Sequence, residues 1–93
     1  MARYVIERVY NEEVHDHMED VGARSKQIAT KYFPDLSWEH SHVVSDETEI
    51  KSFCVYEAPN PDRIREHADQ LGGHIVTRIY EIAADITPGD FPD

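Results

Sequence analysis

The sequence predicts an α+β domain of order βαββαβ, one four-stranded antiparallel sheet carrying two helices on one face. Three observations carry that prediction. Segments 3–10, 36–45, 49–57 and 74–84 are rich in β-branched and aromatic residues, as strands are. Apolar residues recur at helical spacing between the first and second of these, and again between the third and fourth. Pro and Gly then punctuate the boundaries where a helix must stop. The order is that of the split βαβ, or ferredoxin-like, plait, of the dimeric α/β-barrel type.

The elements follow in chain order. After the first strand, Asn11 stands as an N-cap, with Glu12 and Glu13 at the positive end of the helix dipole. Val14, Met18, Val21, Ser25, Ile28 and Tyr32 alternate in spacing between four and three. That is a one-sided helix of about twenty residues, interrupted by Gly22 and stopped near Pro34. Strands two and three are joined by a turn at 46–48, which makes a hairpin. Asn60 caps the second helix with Pro61 at its first position; Ile64, Ala68 and Leu71 are its apolar stripe, and Gly72 and Gly73 end it. Residues 1–84 therefore form one domain with a weak twofold repeat, and 85–93 are an acidic tail punctuated by Pro88 and Pro92, whose Ile86 and Phe91 are free to dock.

Composition narrows the function. Ninety-three residues suit a single domain. With 40% hydrophobic and 30% charged residues, neither disorder nor a membrane protein fits, and no apolar run approaches the roughly 20 residues of a membrane-spanning helix. Nine basic against nineteen acidic residues give a net charge of −10, which argues against nucleic acid as a partner. The first residues lack the apolar stretch of a signal peptide, and the single Cys54 cannot form an internal disulfide, so a reducing cytoplasm is the expected location. The last strand reads Ile75, Thr77, Ile79 on one side and Val76, Tyr80, Ile82 on the other. Apolar groups on both sides imply that both sheet faces are covered. A homodimer packed through the helix-free sheet face is therefore expected.

Chemistry can reside in the six histidines and a few acids. Strand alternation places Trp38, His40 and His42 on one face, where two imidazoles can share a metal ion. His67 stands on the edge of the second helix's apolar stripe, so it faces the sheet, either as a ligand or as a hydrogen-bonded core histidine. Glu7 alternates with Val5 and Val9 in the first strand, and Glu57 follows Phe53 and Val55 in the third. These are the central strands of the plait, where an acid pairs with a cation such as Arg8 or Arg78 or ligates one. Imidazole with carboxylate suits Ni, Zn, Cu or Co rather than Ca or Mg. His15 and His17 point to different helix faces and read as solvated; Cys54 faces away from Glu57 and reads as core.

Four segments together carry a resemblance: 4–8, 38–42, 53–59 and 65–67, above all Cys54 and Glu57-Ala58-Pro59 followed by the helical His67. The chain resembles, from about residue 3 to 82, a family of small bacterial nickel-binding, ferredoxin-like proteins long known only as a domain of unknown function. The resemblance implies a dimer of βαββαβ subunits that binds nickel through histidines and carboxylates. Carried over by motif, Glu7, His40, Glu57 and His67 would be ligands. Val9 stands where some relatives have a histidine, and His42 would compensate.

Three function classes follow. The first is a metal-binding protein for nickel, or another divalent metal such as zinc or copper, acting in storage, buffering or sensing through His40, His42, Glu57, His67 and Glu7. The second is a cofactor-independent enzyme, a monooxygenase or isomerase, using the same His and Glu residues as an acid–base pair. The third is a structural module that assembles through its tail.

Overall fold

A computed structural model of the chain describes residues 1–92. Strands β1 (Ala2–Tyr10), β2 (Ser37–Ser45), β3 (Ile50–Ala58) and β4 (His74–Glu81) make one antiparallel sheet in the order β2-β3-β1-β4. Helices α1 (Met18–Tyr32) and α2 (Pro61–Leu71) complete the ferredoxin-like order. Each core element lies within a few residues of its expected place, except for the start of the first helix.

The core is built by alternation. Tyr4 and Ile6 of β1 and Cys54, Tyr56 and Ala58 of β3 pack with Phe33, Leu36 and Ile64. Tyr10, Val21 and Leu71 form a smaller cluster beside them. The stripe expected of α2 is buried throughout, at Ile64, His67, Ala68 and Leu71. In α1 the stripe holds at Val21 and Ser25 but fails at Tyr32, which is 53% exposed. The Asn60 side chain accepts the Arg63 amide at 3.1 Å, so α2 starts as expected. It ends where Gly72 (φ 69°) and Gly73 (φ 75°) take left-handed backbone, and a Cβ at Gly73 would meet Val14 at 3.2 Å.

The first helix differs from expectation at its start. Glu12–His17 wind as a 3-10 helix and the α-helix begins only at Met18. Asn11 has the N-cap position but no side-chain capping bond; its amide instead donates to the Gly73 carbonyl at 3.0 Å. That bond ties the end of β1 to the start of β4.

Two bulges control what faces where. Trp38 pairs with Tyr56 and His40 with Val55, so Glu39 has no opposite residue. In β4, Arg78 pairs with Glu7 and Val76 with Arg8, so Thr77 is the extra residue, and its hydroxyl donates to the Glu7 carbonyl at 3.2 Å. An extra residue moves everything beyond it to the opposite face. Hence Trp38 does not share a face with His40 and His42, contrary to the alternation expected of an unbroken strand. In β4 it is Val76 and Ile79 that pack on the helix-side core, whereas Ile75 and Tyr80 stand opposite Val9 and Val5.

Beyond β4, the tail contains a short 3-10 turn at Pro88–Asp90 capped by Thr87, an element the sequence reading did not foresee. Asp85 pairs with Arg3, while Ile86 and Phe91 are 73% and 62% exposed and do not dock. Asp93, the end of the expected tail, lies outside the described residues. No helix among the described residues is long and apolar enough to cross a membrane.

Candidate metal-binding face

The helix-free face of the sheet can be read rung by rung. Val5 of β1 stands opposite Val55 of β3, Glu7 opposite Phe53, Arg3 opposite Glu57, and Val9 opposite Lys51. On the edge, His40 stands opposite Val55, His42 opposite Phe53 and Val44 opposite Lys51. Four of the five expected site residues, Glu7, His40, His42 and Glu57, therefore share this face.

They are not equally close. The His40 and His42 rings are exposed, T-shaped and 5.3 Å apart, so both can turn a nitrogen toward one ion. Glu57 lies diagonally from His40, one strand over, at a separation of about 7–8 Å for such neighbours. Glu7 is separated from His42 by Phe53 on the intervening strand. The donor chemistry, imidazole plus carboxylate, fits nickel. Among the described residues, however, no group of three or more His, Cys, Asp or Glu is placed to hold a metal within one chain. A single chain thus offers two clustered imidazoles rather than a closed shell.

Glu39 is re-aimed by the β2 bulge. Both its carboxylate oxygens accept from Arg3, at 3.0 and 2.8 Å, and Arg3 also holds Asp85. The guanidinium keeps the Glu39 carboxyl below its ordinary range. Arg3, Val5, His40, Val55, Tyr80 and residues 81–86 line a groove of about 550 Å³, so the start of the tail borders this face.

His67 lies on the other side of the sheet. It is fully buried, 5.6 Å from the Phe33 ring and 6.0 Å from the Tyr56 ring, whereas His40 stands over Val55, the next residue of β3 and on the opposite face. His67 and His40, expected as ligands of one ion, thus stand on opposite sides of the sheet, and that expected ligand set is corrected. The Glu39 bulge is the reason, because without it His40 would follow Trp38 onto the helix side. His67 Nε2 lies 3.1 Å from the Ser25 carbonyl, an acceptor, so that nitrogen carries the proton. Nδ1 has no protein partner. Two further expectations hold, since Cys54 is buried opposite in sense to Glu57 and His17 is exposed, near Asp20, but the solvated place expected of His15 is corrected. His15 is half-buried, its Nε2 donating to the Tyr10 carbonyl at 3.1 Å.

Burial pushes the His67 imidazole below its usual value of 6.5, against the opposing hydrogen bond to Ser25; His74 is lowered for the same first reason. Unfolding frees both. Below about pH 6.5 the unfolded chain binds protons that the native one refuses, so stability falls as acid is added. The slope is up to about 1.4 kcal/mol per pH unit for each histidine. Urea midpoints measured with chelator at pH 7.5 and pH 5.5 should therefore differ, and His67→Leu should shrink the difference. An equal acid loss in that variant would show that His67 does not contribute.

Fold and site together define a small ferredoxin-like domain with a histidine pair on its open sheet face. The chain belongs to the family described as "Nickel responsive protein SCO4226-like", whose model matches residues 4–82. Among solved structures it is similar to the C-terminal domain of the MgtC protein from Mycobacterium tuberculosis, a solution structure. The two share 11% identity over 90% of this chain and 88% of that one, with a TM-score of 0.54, a likeness of fold. No curated protein matches the sequence.

Missed by the sequence reading was Arg8. It alternates with Tyr4, Ile6 and Tyr10, all buried, and that parity alone places a cation inside the core.

Proposed function

We propose that this protein binds a divalent transition metal, nickel first, through His40 and His42, and that a second copy of the chain completes the site. The observation that carries this reading is the His40–His42 pair, exposed on the helix-free face of a chain whose family is nickel-responsive. Two imidazoles hold an ion weakly, and among the described residues no third donor is grouped with them. A twofold-symmetric dimer is self-complementary and presents each donor twice. Glu57, diagonal to His40, is the nearest carboxylate in register, and Glu7 lies further along the same face.

The face itself favours a cover. Ile75, Tyr80 and Val44 are 64%, 52% and 44% exposed there, beside half-buried Val5, Val9 and Phe53. Such a patch is a contact surface more often than bare surface. Nor is the chain's acidic excess concentrated on it, since Arg3, Lys51 and Arg78 stand among Glu7, Glu39 and Glu57. Buffering, storage or sensing of the metal in the cytoplasm is the role this assembly would serve.

Linkage supplies the test. Sedimentation equilibrium at micromolar concentration should give about twice the chain mass, with nickel raising the dimer fraction and chelator lowering it. Affinity should also weaken from about pH 7.5 to about 5.5, because an imidazole must be neutral to ligate. A monomer that binds nickel without associating, or an affinity indifferent to pH, would contradict the proposal.

A further inference from the structure

The helix-covered face holds a different chemistry. Arg8, at the middle of central strand β1, is 2% exposed. Its guanidinium carbon lies 5.5 Å from the centre of the Tyr56 ring, and its Nε and one terminal nitrogen have no protein partner. The other buried polar residues are Ser25, Ser52 and His67; no carboxylate is among them. A buried cation without a counter-charge loses its hydration with nothing to replace it, so such groups are normally paired. Nothing in the described chain pairs this one.

A cavity of about 240 Å³ opens beside it. Arg8, Tyr10, Ser52 and Tyr56 supply polar groups to its wall, and Trp38 and Met18 are among its apolar ones. The Tyr10 hydroxyl and Ser52 Oγ are 2.8 Å apart, so one of the two keeps a free acceptor or donor for a ligand. Trp38, 39% exposed, stands at the rim and stacks on Tyr56 at 6.3 Å. A guanidinium fork takes a carboxylate through two parallel hydrogen bonds. With only one cation buried here, a monoanion balances the charge and a dianion does not. The volume lies below that of drug-sized pockets, which limits the ligand to a small molecule.

We propose that this cavity binds a small organic acid, its carboxylate on Arg8 and its apolar body against Met18 and Trp38. The site lies across the sheet from His40 and His42, so it stands or falls independently of nickel binding. Trp38 is the chain's one tryptophan and reports directly on occupancy.

The test uses the full chain with chelator at constant ionic strength. Acetate, butyrate, hexanoate and benzoate are titrated against the neutral butyramide, hexanamide and benzamide, reading Trp38 fluorescence and melting temperature. At least one acid should give a saturable fluorescence change and a raised melting temperature, with its amide at least about tenfold weaker. Arg8→Met should fold, since it removes an unpaired buried charge, and should lose the response; His40→Ala should keep it. Amides that match the acids, an Arg8→Met variant that still responds, or four silent acids would overturn the proposal. Inorganic sulfate acting as well as the acids would overturn the organic-acid assignment. If Arg8→Met does not fold, the acid-to-amide ratio in the parent decides alone.

Discussion

Nickel affinity is expected to fall at least about tenfold in each of His40→Ala and His42→Ala, the lower end of what even outer-shell losses cost at metal sites. The two rings are 5.3 Å apart on the exposed face, so each is half of the imidazole set a chain can offer. His67→Gln should leave the affinity unchanged, because that ring is sealed beneath the sheet with its Nε2 on the Ser25 carbonyl. Glu57→Gln should weaken binding less than either histidine change, given its diagonal place. Isothermal titration of nickel into the parent and the four variants reads these differences. Equal binding by parent, His40→Ala and His42→Ala would remove the histidine pair from the account.

Ile6→Ala has the largest expected effect on stability. Ile6 is fully buried in central strand β1, paired with Cys54 on one side and Ile79 on the other. Truncating such a residue costs about 2–5 kcal/mol through lost burial and the cavity left behind. A domain of this size has only about 5–15 kcal/mol to lose, so the melting temperature should drop by roughly ten degrees or more. Ile75→Ala makes the contrast. In an isolated chain Ile75 is 64% exposed and its loss should stay within about 0.5 kcal/mol. If a second copy covers that face, Ile75→Ala weakens association instead. Urea melts of both variants across a range of protein concentrations separate the two effects, since only an association defect depends on concentration.

The order of elements was legible because period alone carries it. Val14 to Ile28 repeat as a helix does, and Asn60-Pro61 and Gly72-Gly73 bracket α2 with the chemistry that starts and stops helices. The antiparallel neighbours β1 and β3 followed from that order, and their register then put Glu7 and Glu57 on one face. What could not be read was the pair of bulges. Glu39 and Thr77 are ordinary strand residues in an unbroken run, and nothing in their type marks them as unpaired. Their partners do: Glu39 is held by Arg3, thirty-six residues away, and Thr77 by the Glu7 carbonyl, seventy away. One such residue moved His40 and His42 to the face opposite His67, so the ligand set implied by the resemblance was divided between two sides of the sheet. Arg8 was overlooked for the opposite reason. Its parity was readable, but a charged residue inside an apolar row is more easily taken for a surface group than for a buried one.

The nickel ion's own paramagnetism offers the most direct test of where it sits. The six histidine ring signals, assigned by single substitutions, can be followed as nickel is added below stoichiometry. The His40 and His42 signals should broaden first and together, while His67, on the far side of the sheet, and His17, on the exposed helical turn, persist. Early loss of the His67 signal with His40 and His42 intact would place the metal among the helices and contradict the account.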